Sequence, residues 1–165
     1  MLNDSQWIEK ILILHNSVEL AYIAGLFDAE LGFGIARQGE VGKYYYQLFF
    51  DYTKMDRTIL LHLSKIFGGT VKQVKDQPIY KSKMWQWRLP PSTTYFALKR
   101  VYPFLRLKKE IARICIEFFE SYNPLGQKRM SAERQEIGRI YAAKLDEFKT
   151  KPYPHRSSFT ESPSL

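Results

Sequence analysis

Three small residues at every fourth position, within the segment Ser17 to Arg37, constrain the fold of this chain more than any other feature. Ala21, Gly25 and Ala29 would lie in one row along a helix that begins at Ser17, a favourable N-cap residue. A glycine inside a helix costs about 1 kcal/mol relative to alanine, so Gly25 requires a structural reason. Because a row of small side chains lets a second helix approach closely, the segment predicts a helix that packs against another helix.

Two carboxylates follow at the C-terminal end of this predicted helix. Asp28 and Glu30 lie where the helix dipole is negative, and acids destabilise a helix at that end. Such a placement predicts that a cation binds nearby. The next residues, 33–38, alternate well enough to predict a strand.

The segment Tyr22 to Glu30 reads YIAGLFDAE and resembles the signature motif of the LAGLIDADG homing endonucleases. The match covers the first eight positions of the motif with conservative changes. At the ninth position, where the family has glycine, this chain has Leu31, and Gly32 follows. The resemblance continues through most of the chain as an order of elements. It implies a mixed α/β (α+β) fold, an αββαββα core with extra C-terminal helices.

Residue patterns along the chain predict the same order of elements. Residues 44–53 and 79–89 predict strands, as do residues 33–38 and 70–75, whereas helical spacing occurs in 55–67, 92–102, 106–121 and 132–149. We assign residues 17–150 to one endonuclease-like domain. Residues 1–16 predict an N-terminal arm or short helix, and residues 151–165, rich in proline and serine, predict a flexible tail.

The amino-acid composition restricts the classes of molecule that this protein is expected to bind. The 165-residue chain carries a formal net charge of +8, which favours a polyanion such as nucleic acid. Its one cysteine excludes an intrachain disulfide, and no apolar run is long enough to span a bilayer. We therefore expect an intracellular protein, cytoplasmic in a prokaryote or organellar, without a membrane or small-molecule partner.

The resemblance also implies the catalytic residues. It assigns Glu30 as a metal ligand, together with the backbone carbonyl of Ala29, for Mg²⁺ or a similar ion such as Mn²⁺. It assigns Lys108 and Lys54 as active-site lysines, whereas we expect Asp28 to have a structural role. It further implies a homodimer, whose interface would comprise Ala21, Gly25, Leu26 and Ala29.

A basic sheet is the predicted DNA-binding surface. Residues 37–88 contain ten lysines and arginines against four acids. Alternation along the second strand predicts that Tyr46, Leu48, Phe50 and Tyr52 face the core, and the fourth strand predicts the same for Trp85, Trp87 and Leu89. The opposite face, with its flanking lysines, would contact DNA through Gln38, Lys43, Tyr45, Gln47, Asp51, Thr53, Lys72, Val74, Lys75, Lys81, Ser82, Lys83, Met84, Gln86 and Arg88.

Together with these patterns, the resemblance to single-motif LAGLIDADG homing endonucleases implies an intron-encoded, Mg²⁺-dependent DNA endonuclease. It would cut both strands of a long, near-palindromic site as a homodimer. Two alternatives use the same fold. One is an RNA maturase that aids intron splicing, and the other is a DNA-binding regulator without catalytic activity, an alternative that Leu31 favours.

Overall fold

The structure, a computed structural model, describes residues 17–40, 43–74, 83–122 and 131–150. The predicted N-terminal arm, residues 1–16, and the predicted tail, residues 151–165, lie outside this description. Within the described part of the chain, none of the helices combines the length and the apolar character needed to cross a bilayer.

Helices and strands follow one another in the predicted order. In chain order they are α1 (Ser17–Ala29), β1 (Gly32–Glu40), β2 (Lys43–Lys54), α2 (Arg57–Phe67), β3 (Thr70–Gln73), β4 (Trp85–Arg88), α3 (Pro91–Val101), a 3-10 turn (Tyr102–Phe104), α4 (Lys109–Tyr122) and α5 (Ala132–Thr150). The αββαββα order with additional C-terminal helices is therefore confirmed.

The four strands form one sheet in the order β1-β2-β4-β3. Each neighbouring pair is antiparallel, which makes the fold α+β. The strand β2 is long and aromatic. It pairs with β1 over its first nine residues, Lys43 to Asp51, and with β4 over its last four, Asp51 to Lys54. On one face of β2 the side chains from Tyr46 to Tyr52 are buried, whereas on the opposite face the side chains of β2 and β4 are half-buried or exposed.

Aromatic side chains from α1 and the sheet form the centre of the core. The ring of Phe27 lies 5.2 Å from that of Phe50, which lies 4.9 Å from that of Trp87. The predicted alternation is confirmed, because the core-facing residues of β2 are buried and so are Trp87 and Leu89. Trp85 is only partly buried, since it lies near the strand end beneath the guanidinium of Arg57, 4.4 Å from its ring centre.

Three helices begin at other residues than their sequences suggest. The helix α2 begins at Arg57, two residues later than expected, with Asp56 as its N-cap. Proline is well suited to the first turn of a helix, and α3 begins at Pro91, one residue before its expected start, with Pro90 as its N-cap. The helix α4 begins at Lys109, three residues later than expected. Its preceding segment is held in a non-helical conformation, since the backbone amides of Arg106 and Lys108 donate hydrogen bonds to Asp28.

A glycine lets α5 pack directly on the sheet. A Cβ atom at Gly138 would lie 2.1 Å from Cδ2 and 2.8 Å from Cβ of the buried Tyr46. Because both the ring and the root of the Tyr46 side chain are involved, a ring rotation alone does not relieve the overlap. The helix and strand must separate to admit any side chain at this position.

We therefore expect Gly138→Ala to destabilise the protein by about 1–3 kcal/mol, even though alanine favours a helix more than glycine does. Thermal and urea denaturation would measure this change. Gly32→Ala is a suitable control, because its Cβ would make only an ordinary contact, 3.5 Å from the carbonyl oxygen of Asp51. Equal stability of the Gly138→Ala and unmodified proteins would contradict this account of the packing.

Candidate active site and nucleic-acid interface

The end of α1 places Glu30 at the surface and Leu31 in the core. The amide of Glu30 donates a hydrogen bond of 2.9 Å to the carbonyl of Leu26, which closes the last turn. Leu31 then turns inward and is 1% exposed, and Gly32 begins β1. The departure from the family motif at Leu31 is thus accommodated as an additional core side chain.

Two residues of β2 hold the carboxylate of Glu30. The hydroxyl of Tyr52 and the ammonium of Lys54 each lie 2.6 Å from the same oxygen, Oε2. These bonds, first that of Lys54 and then that of Tyr52, lower the pKa of Glu30. Burial, reinforced by the neighbouring Glu30 carboxylate, raises the pKa of Tyr52, so this hydroxyl remains a donor at neutral pH.

Asp28 joins α1 to the segment before α4. Its two carboxylate oxygens each accept one backbone hydrogen bond of 2.8 Å, from Arg106 and from Lys108. The carboxylate is thus occupied in holding a loop, whereas Glu30, two residues later, points to a different set of partners. The two acids of the motif have different surroundings.

Lys108 closes the C-terminal end of α1. Its ammonium donates to the carbonyl oxygens of Phe27, at 3.0 Å, and of Leu31, at 2.8 Å. A cation here balances the negative end of the helix dipole. Burial lowers the pKa of Lys108, and the nearby Asp28 carboxylate partly opposes that effect.

The outward side of α1 carries an apolar surface, which we call the α1 stripe: Val18, Ala21, Tyr22, Gly25 and Ala29. All five residues are exposed, and Val18 is 74% exposed. A Cβ added at Gly25 would meet no heavy atom of the described chain within 4 Å. The opposite side of the helix is buried, and Leu26 lies half-buried between the two sides. The helix is therefore apolar on both sides, although only one side packs against the described part of the chain.

The pairing register of the strands brings the predicted base-contacting residues together on one face of the sheet. We call this face the open face and define it by Asp51, Gln86, Arg88 and Lys72. Gln86 lies opposite Thr53 on one side and Lys72 on the other, and Arg88 lies opposite Asp51. Lys72, Arg88, Gln38 and Lys83 are exposed, whereas Tyr45, Gln47, Asp51, Thr53, Val74, Met84 and Gln86 are half-buried. Lys75, Lys81, Ser82 and the Lys43 side chain lie outside the described part.

One contact on the open face links two of these residues. The side-chain nitrogen of Gln86, Nε2, lies 2.7 and 2.8 Å from the two carboxylate oxygens of Asp51. Phe49, the one large apolar residue on this side of β2, is accommodated beside Gly34. A Cβ at Gly34 would lie 2.9 Å from the Phe49 ring and 3.2 Å from Leu145 of α5.

Sequence reasoning missed Tyr52 as a partner of Glu30 and assigned it only to the core. The spacing of Tyr52 and Lys54 could have predicted this contact, because residues two positions apart in a strand point to the same side. Within the described part of the chain, no cluster of three or more His, Cys, Asp or Glu side chains could hold a metal ion. Glu30 is accompanied instead by a tyrosine and a lysine.

Sequence comparison and structural comparison give different outcomes. Neither protein-family models nor curated protein sequences match this chain. Structural similarity, in contrast, is extensive. The chain superimposes on the archaeal intron-encoded homing endonuclease I-Vdi141I, solved in complex with DNA, with a TM-score of 0.64 and 16% identity over 84% of this chain and 89% of the other.

Two further solved structures have the same fold. I-CvuI, a homing endonuclease in complex with its target in the presence of calcium, gives a TM-score of 0.55 at 20% identity, over 78% of this chain and 95% of that chain. The LAGLIDADG homing endonuclease I-GzeII, in complex with its DNA target, gives 0.57 at 14% identity, over 81% of this chain and 44% of that chain. This protein therefore has the LAGLIDADG homing endonuclease fold.

Proposed function

We propose that this protein is a metal-dependent, site-specific DNA endonuclease that acts as a homodimer on a long, near-palindromic site. The observation that carries the proposal is the position of Glu30, at the end of the α1 stripe and beside the last residues of β2. A helix surface suited to close pairing, an exposed carboxylate and a basic sheet thus adjoin one another. The similar structures named above are of homing endonucleases in complex with DNA.

The dimer would form through the α1 stripe. Its small residues, Ala21, Gly25 and Ala29, allow a second α1 helix to approach closely, and Val18 and Tyr22 add apolar area. A two-fold axis is the simplest way to cover such a surface with a second copy. It would bring two Glu30 carboxylates, one from each protomer, to the same end of the helix pair and generate a symmetric binding surface for near-palindromic DNA.

The residues at this helix end suit a hard divalent cation such as Mg²⁺. Mg²⁺ prefers oxygen ligands and usually keeps one or two protein carboxylates, with water and phosphate oxygens as its other ligands. Glu30 supplies a carboxylate whose two hydrogen bonds both go to Oε2, and the neighbouring Ala29 carbonyl is a second candidate oxygen. When bound, the metal would supply a polarised phosphate and an activated water.

Side chains of the protein itself would orient Glu30 and place positive charge near the phosphate. Tyr52 and Lys54 keep the carboxylate ionised and oriented, and Lys54 also places a positive charge where phosphate must approach. Lys108, held by two backbone carbonyls at the end of α1, adds a second positive charge. The open face would hold the duplex in register through its basic and amide side chains.

Cleavage of a randomised plasmid library, with and without Mg²⁺, tests this function directly. We expect double-strand breaks only with Mg²⁺, and sequencing of the cut ends should reveal a near-palindromic site. Competition by duplex DNA and by structured RNA then separates an endonuclease from a maturase, because an endonuclease should be displaced by its duplex site and not by RNA. Metal-independent binding without cleavage at any site would contradict the proposal.

We expect Tyr52→Phe to slow cleavage by about 10–100-fold, the usual effect of removing a partner of a metal ligand. The tyrosine hydroxyl favours ionised Glu30, so its loss should raise the pKa of Glu30 and move the acid limb of the pH–rate profile to higher pH. Single-turnover rates across pH measure both effects. Tyr45→Phe, on the opposite side of β2, is the control and should leave the acid limb unchanged. An unchanged acid limb for Tyr52→Phe would refute this role.

A further inference from the structure

Phe49 places an aromatic ring on the open face, between two polar side chains of β2. It lies on the same side as Gln47 and Asp51, because residues two positions apart in a strand point to the same side. Its side chain is half-buried, and in the described part of the chain it lies outside the set of residues that form the core or pack against it. Packing in the core therefore does not explain an aromatic residue at this position.

Gly34 determines where this ring lies. The two residues are directly opposite each other on β1 and β2, so side chains at both positions would share one side of the sheet. A Cβ at Gly34 would lie 2.9 Å from Cε1 and 3.2 Å from Cζ of Phe49. The outer edge of the ring thus occupies the space that a side chain at position 34 would need. A ring that lies across β1 in this way covers the strand with one face and leaves the other face uncovered, which agrees with its half-buried state.

The surroundings leave this ring accessible to the edge of a base. On the same side of β1, the residues two positions before and after Gly34 are Gly32 and Ala36, which are both small. The described part of β4 pairs with β2 only from Asp51 onward, so it does not cover Phe49. An uncovered aromatic surface therefore lies on the face that we propose to bind DNA.

The chemistry of a phenyl ring restricts what it can recognise on a base. The ring has no charge and therefore adds nothing to the attraction between this basic face and the phosphates. In the major groove, thymine alone among the four bases presents an apolar group, the methyl on its C5 atom. An amino group of cytosine or adenine placed against the ring would lose hydrogen bonds to water without gaining a partner. The side chain thus favours thymine.

We propose that Phe49 is a specificity-determining residue that contacts the methyl group of a thymine at one base position of each half-site. This inference rests on the proposed binding of DNA by the open face. Gly34 is a positioning residue in this arrangement, because its missing side chain lets the ring lie across β1.

Selection of duplexes from a randomised pool, in EDTA so that cleavage does not occur, tests this assignment. The unmodified protein should enrich thymine at one position of each half-site. Replacement of that thymine by deoxyuridine, which lacks only the methyl group, should weaken binding by about three- to tenfold. At the same position, 5-methylcytosine should bind more tightly than cytosine by a similar factor, because the methyl group is restored.

Variants at position 49 show whether the ring makes this contact. Phe49→Ala should abolish both methyl effects, because alanine is too short to reach the base. Phe49→Gln should change the preferred base at the same position from thymine to adenine, which glutamine recognises with both ends of its amide. Gln47→Ala is the matched control on the same side of the same strand, and it should retain both methyl effects. Thermal denaturation checks that each variant is folded.

The outcomes separate this assignment from the proposed function. If the unmodified protein selects a sequence but deoxyuridine weakens binding at none of its thymines, the assignment is wrong and the endonuclease proposal stands. The same conclusion follows if folded Phe49→Ala or Phe49→Gln protein retains the methyl effects unchanged. If the unmodified protein retains no duplex DNA, the proposed function fails, and this assignment fails with it.

Discussion

Replacing Glu30 by glutamine is expected to abolish DNA cleavage while leaving DNA binding nearly unchanged. The substitution keeps the shape of the side chain but removes the negative charge that would hold a divalent cation. A metal ion stabilises the transition state by several kcal/mol, which corresponds to a loss of roughly a thousandfold or more in rate. Binding should persist because phosphate contacts usually supply most of the affinity of a protein for DNA, and Glu30 makes none of them.

Single-turnover cleavage and equilibrium binding, measured on the same duplex, provide the test. Asp28→Asn is an informative comparison, because Asp28 accepts the backbone amides of Arg106 and Lys108 and should affect thermal stability more than metal binding. Titration of Mn²⁺ against the unmodified and Glu30→Gln proteins adds a readout independent of activity. Full cleavage by Glu30→Gln would show that the metal is bound elsewhere.

Replacing Gly25 by leucine is expected to prevent the proposed homodimer and to leave a folded monomer. A Cβ added at Gly25 would meet no heavy atom of the described chain within 4 Å, so we expect the substitution to be tolerated inside one copy. Between two α1 helices, however, two leucines would occupy the space needed for close approach. We expect the dissociation constant of the dimer to rise by at least about a hundredfold.

Light scattering at micromolar concentration measures the change in mass, and circular dichroism checks that the fold is retained. Ala143→Leu makes the same kind of substitution on the exposed side of α5 and should leave the dimer intact. A Gly25→Leu protein that remains a dimer would place the interface elsewhere. A folded monomer for the unmodified protein would refute the homodimer altogether.

The sequence by itself determined the elements and their inner and outer sides. Alternation in β2 is strict, with Leu48 and Phe50 buried and their neighbours half-buried, because a strand directs successive side chains to opposite sides. The motif from Tyr22 to Glu30 marked both the helix and its terminal acids. Such patterns are local, since each depends only on the periodicity of one element.

Helix boundaries that depend on contacts between residues far apart in the sequence could not be predicted in this way. The late start of α4 depends on Asp28, whose hydrogen bonds to Arg106 and Lys108 join residues about eighty positions apart. No local pattern near residue 106 reports that contact, because the helical spacing there continues through the residues that are held out of the helix. The need for a glycine at position 138 was equally unpredictable, because it arises from the Tyr46 side chain of the sheet, which packs against that position.

Only the tertiary structure decided the chemistry of the side chains within the predicted sites. A glutamine at a DNA interface usually recognises adenine, but Asp51 engages the amide nitrogen of Gln86, and only strand pairing could bring the two together. In the same way, Glu30 acquires Tyr52 and Lys54 through the packing of α1 against β2. Sequence patterns locate functional side chains, but hydrogen bonds between elements set which donors and acceptors remain available.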